Sequence, residues 1–169
     1  LTRIRLQLEL MANKDDAEAI RADLAEMEEM IDAYLNFAAG EGEEPPEDTD
    51  VKTMLDRLAE QTRNAHGFDI KVAPPTDSIP IFPLRRKAMR RAFENIISNA
   101  LAYSTQMEIN MRYRNDEISM FFDDNGAGIP AELRAEAIRP FVRLETSRNR
   151  QTGGTGLGLS ITSDIIMGH

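Results

Sequence analysis

The stretch "GGTGLGLS", Gly153 to Ser160, decides how the rest of the chain is read. Glycines at every second position give way to an apolar segment of helical character, Leu157 to Met167. Glycines so placed let backbone N–H groups approach an anion, often a phosphate. Two familiar phosphate loops fail the comparison. No lysine follows the glycines, as a Walker A loop requires. A Rossmann turn needs a preceding strand, a glycine where Leu159 stands, and a further βαβ unit, for which too few residues follow.

Working back along the chain, "FFDDNGAGIP" comes straight off an alternating apolar segment. Gly126 and Gly128 flank Ala127, a pattern for a tight turn and close ligand approach. Asp124 falls at the strand's end, where a carboxylate can accept from a ligand N–H. Adenine offers an exocyclic amine there, whereas guanine presents an oxygen that a carboxylate repels. Alone, such a loop also fits a plain turn. A Ca²⁺ loop fits badly, because Ala135 stands where the closing glutamate belongs.

Farther back, "PLRRKAMRRAFENIISNALAYS" reads as a helix beginning near Pro83 and ending near Tyr103. Phe93, Ile96, Ile97, Ala100 and Leu101 make its buried side, while Asn95 and Asn99 lie one turn apart on a shared face. Asparagine is a poor helix-interior residue, because its side chain competes for backbone hydrogen bonds. An amide oxygen is a hard, neutral ligand suited to Mg²⁺ that also borrows phosphate oxygens; two solvated asparagines are the plainer alternative. Between the glycine clusters, "RPFVRLETSRNR" sets Arg139, Arg143, Arg148 and Arg150 against a single acid, Glu145. That charge suits a lid over a polyphosphate, or simply a solvated basic loop. The second basic cluster, "RRKAMRR", reads as a solvated face or partner contact rather than a nucleic-acid site.

The rest of the chain supplies the frame. A net charge of −9 disfavours nucleic acid as the main partner, and the absence of cysteine excludes disulfides and thiolate zinc sites. Leu1, Ile4, Leu8 and Met11 make one helical seam; Ile20, Leu24, Met27, Ile31, Tyr34 or Leu35, and Ala38 make a second. Two such helices form a hairpin whose stripes pair with a second copy into a four-helix bundle, or pack on the rest of the chain. "GEGEEPPEDTD", 40–50, holds six acids, two prolines and two glycines and reads as a linker. Val51, Leu55 and Leu58 mark a short helix. Phe68, Ile70 and Val72 alternate as a strand, and "IPIF" reads as another. Met107 to Tyr113 and Ile118 to Phe122 alternate around "RND" as a hairpin. Helices over one face of a largely antiparallel sheet give an α+β fold.

An Asn-x-x-x-Asn helix, a strand with Asp-x-Gly-x-Gly, a Phe-containing basic segment and a Gly-x-Gly-x-Gly helix stand in one order. That order resembles the N, G1, F and G2 boxes of sensor histidine kinases, matched by "NIISNA", "DDNGAGI", "RPFVR" and "GGTGLGL". "LTRIRL" looks like the continuation of the phosphoacceptor box in osmosensor-type members. The resemblance covers the whole chain. It implies a dimerisation hairpin (1–39, with the acceptor histidine upstream of Leu1), a linker (40–50) and a GHKL-type (Bergerat) α/β-sandwich ATP-binding domain (51–169). His66 and His169 do not fall at the acceptor position, Ala102 replaces a basic residue common after the N box, and the family adds two strands after "MGH".

By that resemblance Asn99 would be the Mg²⁺ ligand, with Asn95 beside it near the phosphates of ATP. Asp124 would select adenine, with Gly126, Gly128 and Ile129 shaping its pocket and Tyr103 near the nucleotide. Phe141 would anchor the lid, and Arg143 and Arg148 would meet phosphate or the partner helix. Gly154, Thr155, Gly156, Leu157, Gly158 and Leu159 would cradle the phosphates. Relatives that hydrolyse ATP carry a glutamate where Asn95 stands, and an amide cannot take a proton from water. The implied activity is therefore autophosphorylation of a histidine within a homodimer, followed by transfer to an aspartate of a response regulator. A cytoplasmic module of a protein anchored in the bacterial inner membrane is implied as well. An ATP-holding scaffold without transfer, or a GHKL ATPase, is the alternative.

Overall fold

Asp50 opens a helix with a side-chain cap. Its carboxylate accepts from the Thr53 N–H at 2.9 Å and from the Thr53 hydroxyl at 2.7 Å. The helix, α1, runs Val51–His66 and ends on Gly67, whose φ of 66° and N–H bond to the Arg63 carbonyl make a left-handed cap. The structure is a computed structural model that describes residues 20, 24, 27, 31, 44–75, 77–142 and 156–169. Its contacts divide the chain into two units, Leu1–Ala39 and Gly40–His169. In the first, Ile20, Leu24, Met27 and Ile31 are helical and Leu24 is buried; the remainder of the expected hairpin lies outside the described residues.

In the second unit the elements follow as β1 (Glu47–Thr49), α1, β2 (Asp69–Val72), β3 (Phe82–Leu84), α2 (Arg86–Tyr103), β4 (Gln106–Arg114) and β5 (Glu117–Asp124). A short 3-10 turn (Ala131–Leu133), α3 (Arg134–Ala137) and α4 (Gly158–Met167) complete the order. The main sheet has the order β2-β4-β5, and β1 pairs with β3 in a separate two-stranded ribbon. The hairpin turn places Asn115 and Asp116 at φ 52° and 62°, the backbone of a type I′ turn. Cross-strand pairs Ile109–Phe122, Met111–Met120 and Tyr113–Ile118 then share the inner face.

Against that face pack Val51, Leu55 and Leu58 of α1 and Phe93 and Ile97 of α2, over Ile70, Met107, Ile109 and Met111. The Phe93 ring meets Phe122 at 5.7 Å between centroids. Truncating Phe93 to alanine in such a site removes about 3–5 kcal/mol. The result is α+β, one layer of helices on one layer of sheet, as the alternation of apolar positions requires.

Three expectations change. The segment 40–50 is no bare linker, because Glu47–Thr49 pairs antiparallel with β3 in the register Asp48 to Pro83. Pro83 does not start the helix; it sits in this short ribbon, and α2 begins at Arg86. The sheet is mixed, since β2 runs parallel to β4. The reason is topological: β3 and α2 lie between these two strands in sequence and carry the chain back across the sheet.

Candidate functional site

Helix α2 carries the candidate site on its middle turns and at its C-terminal end. Its middle turns present Asn95 and Asn99, both half-buried, beside the buried row Ala92, Phe93, Ile97 and Ala100. The Asn95 amide nitrogen donates to the main-chain oxygen of Gly158 at 3.2 Å. The expected phosphate role of Asn95 therefore acquires a structural partner, and its amide oxygen is the atom left for a ligand. Asn99 makes no side-chain hydrogen bond among the described residues. A half-buried carboxamide whose oxygen has no partner among the described residues fits a hard divalent cation that keeps most of its waters.

Gly158 opens α4, and a Cβ on it would sit 3.7 Å from the Asn95 Cβ, ordinary contact. Leu157 at the N-cap is buried and supplies no side-chain acceptor, so the first amides of α4 have no side-chain cap. Such amides favour an anion. Leu159 is half-buried on this turn. Two buried hydroxyls tighten it. Ser160 Oγ donates to the Leu157 carbonyl at 2.9 Å, and Thr162 Oγ1 lies 2.9 Å from the Gly158 carbonyl and 3.4 Å from that of Ala92.

Phe141 and Gly156 stand on either side of segment 143–155 and meet directly. The Phe141 N–H donates to the Gly156 carbonyl at 3.0 Å. Both adopt the left-handed region, Phe141 at φ 65° and Gly156 at φ 67°. A Cβ on Gly156 would come within 3.0 Å of the Val142 oxygen, so the approach requires glycine. Phe141 is 58% exposed, so with its positive φ it is a strained, solvent-facing aromatic rather than a core residue. Arg143, Arg148, Gly154 and Thr155 lie outside the described residues.

At the far end of α2, Asp124 closes β5 and its Oδ1 accepts from the Gly126 N–H at 2.7 Å. A Cβ on Gly126 would lie 2.7 Å from the Tyr103 carbonyl oxygen, so the loop is seated on the helix end. Tyr103 itself is half exposed at 47%. Gly128 takes φ 71° with open space around it, and the Ile129 carbonyl accepts from Arg134 Nε at 3.1 Å. The structure thus brings Tyr103, Gly126 and Asp124 together at one end of α2, and Asn95 and Gly158 together on its side. Asn125 was not singled out from the sequence. Its contacts run to Thr105 and Gln106, and the only signal in sequence was its place between the aspartate and the glycine. Glu44 was missed too; its carboxylate accepts from the Lys87 and Ala88 amides at 2.7 and 3.1 Å, capping α2 from outside.

Residues 85–169 match the family model of histidine kinase-, DNA gyrase B-, and HSP90-like ATPases. The sensor protein RstB of Escherichia coli K12 is 30% identical over 181 aligned positions, which take in 99% of this chain and 40% of RstB. The chain thus spans less than half the length of that relative. The solved histidine kinase domain of the E. coli osmosensor EnvZ is similar at a TM-score of 0.55 and 27% identity, over 76% of this chain and 78% of that one. Full-length ShkA, solved in complex with AMPPNP, shares the fold at a TM-score of 0.65 and 21% identity, over 94% of this chain and 34% of ShkA.

Proposed function

We propose that this chain, which belongs to the histidine kinase-, DNA gyrase B-, and HSP90-like ATPase family and is the ATP-binding core of a two-component sensor kinase, serves histidine autophosphorylation. The observation that carries the proposal is the bond from Asn95 to Gly158, which ties the asparagine face of α2 to a helix N-terminus without a side-chain cap among the described residues. In this reading, metal-ligand chemistry on α2 and anion-binding amides at the start of α4 serve one nucleotide.

The Asn99 amide oxygen would hold Mg²⁺, with the Asn95 oxygen beside it, and the amides from Gly156 to Leu159 would take the phosphates. The metal supplies charge neutralisation between phosphate oxygens. Asp124, with Oδ1 engaged by Gly126, offers Oδ2 to the adenine amine, while Gly126, Gly128, Ile129 and Tyr103 bound the base. Phe141, Arg143, Arg148, Gly154 and Thr155 complete the proposed set around the phosphates.

Transfer rather than hydrolysis follows from the side chains near α2. Asn95 cannot act as a base. Glu94, its neighbour, points to the exposed side and is held by Arg90 Nε at 2.7 Å. With no carboxylate on the asparagine face of α2 among the described residues, positioning of the γ-phosphate against an acceptor is the available chemistry. The acceptor is a histidine on a dimerisation helix, in a homodimer, and the next recipient is an aspartate of a response regulator. The parent protein is proposed to be anchored in the bacterial inner membrane. Among the described residues no helix is long and apolar enough to cross a membrane.

The test is the fate of γ-labelled ATP given with Mg²⁺ to a dimer that includes the acceptor helix. Label on a protein histidine, stable to base and lost in acid, is expected. Release of inorganic phosphate with no labelled protein would overturn the reading.

A further inference from the structure

Asn125 sits between the base-reading carboxylate and Gly126, and every polar atom of its side chain is engaged by the turn that follows α2. Its Oδ1 accepts from the Thr105 N–H at 2.9 Å and from the Gln106 N–H at 3.2 Å. Its Nδ2 donates to Thr105 Oγ1 at 2.9 Å, and its own N–H reaches the Gln106 carbonyl at 3.4 Å. The loop does not need these bonds to turn, because Asp124 Oδ1 already closes it on the Gly126 N–H. What they add, next to the Met107–Asp124 pair that ends the β4–β5 ladder, is a side-chain tie from the loop's first residue to a segment some twenty residues away in sequence, directly beyond the end of α2. Gly126 makes the same attachment by shape, with room only for a hydrogen against the Tyr103 carbonyl.

We infer that Asn125 is a positioning residue that fixes the Asp124 carboxylate relative to Asn95 and Asn99, so that one nucleotide can be read at its base and held at its phosphates. The inference rests on the ATP reading above. The base and the phosphates of a nucleotide are separated by a covalent span of limited reach. Two half-sites on different elements therefore act together only if their separation is held. Helix α2 holds the asparagines; Asn125, which follows Asp124 at the end of β5, fastens that strand end to Thr105 and Gln106, just past the end of α2. A misplacement of about 1 Å in such an arrangement reduces function by up to about a hundredfold.

Calorimetric titration with adenosine, with Mg-tripolyphosphate and with Mg-ATP separates the two half-sites. For Asn125→Ala, adenosine and Mg-ATP affinities should fall roughly tenfold or more, with Mg-tripolyphosphate within about threefold of wild type. Asn125→Asp, which keeps the acceptor for both amides, should recover adenosine binding to within about threefold. Should Asn125→Ala fail to fold, Thr105→Ala removes one partner alone and should weaken adenosine by about two- to fivefold. Unchanged adenosine binding in the folded alanine variant overturns the inference, as does an equal loss for adenosine and tripolyphosphate. With Asn125→Ala unfolded, unchanged adenosine binding in Thr105→Ala overturns it as well. Wild-type protein that ignores Mg-ATP would instead sink the ATP reading itself, and this inference with it.

Discussion

Asn95 and Gly158, sixty-three positions apart in sequence, are joined by a hydrogen bond of 3.2 Å from amide nitrogen to main-chain oxygen. The same oxygen lies 2.9 Å from the Thr162 hydroxyl, which itself reaches toward the Ala92 carbonyl on α2. One carbonyl therefore gathers two side chains and fastens the start of α4 to the asparagine face.

Asn95→Ala should destabilise the folded unit by about 0.5–1.5 kcal/mol, the ordinary value of one hydrogen bond. Thr162→Val should have an effect of about 1 kcal/mol. Because both act on Gly158, the double variant should depart from additivity by about 0.5 kcal/mol or more in urea unfolding. Strict additivity would show that the shared acceptor carries no coupling.

Gly156→Ala tests the closure between Phe141 and Gly156. The new methyl would meet the Val142 oxygen at 3.0 Å in a backbone region hostile to side chains. A stability loss of about 1–2 kcal/mol is expected from the left-handed conformation alone. Faster hydrogen exchange at the Phe141 amide should accompany it, since that amide donates to Gly156.

Glu44→Ala tests the external cap on α2. The carboxylate satisfies two of the amides that a helix N-terminus leaves open, at Lys87 and Ala88. Its removal should lower stability by about 1 kcal/mol and speed exchange at those two amides. Glu44→Gln should retain part of the effect through its amide oxygen.

The Asp50 cap gives a pH dependence with a definite sign. Hydrogen bonds from the Thr53 amide and hydroxyl hold its carboxyl below the usual aspartate range. A depressed folded value means stabilisation that is present above the unfolded aspartate value, near pH 4, and is lost as pH falls through the lower folded value. Asp50→Asn keeps a capping oxygen without ionising. The stability difference between wild type and Asp50→Asn should therefore shift against wild type only in acid, below about pH 4; a shift between pH 5 and 8 would contradict the assignment.

Much of this was legible because burial imposes a period. Met107, Ile109 and Met111 alternate and are buried; Val51, Leu55 and Leu58 repeat at helical spacing and are buried. The asparagine pair and the glycines were legible because they are costly in regular structure unless something requires them. Strand β1 was not. "EDT" carries no apolar alternation, and the strand exists only through pairing with Phe82–Leu84. Pro83 misled because proline suits a helix start and a marginal strand equally well. Asn125 and Glu44 act through partners about twenty and forty-three positions away, and spacing along one element says nothing of such contacts.

Direct binding of Mg-ATP to the folded chain tests the central claim most simply. Calorimetry on wild type and Asn99→Ala, with ATP and then GTP, reads both ends of the site. Wild type should bind Mg-ATP at least about tenfold more tightly than Mg-GTP, through the Asp124 carboxylate. Asn99→Ala should lose most of the Mg²⁺-dependent part of the affinity while remaining folded. Equal affinity of wild type and Asn99→Ala for Mg-ATP, with GTP bound as well as ATP, would contradict the account.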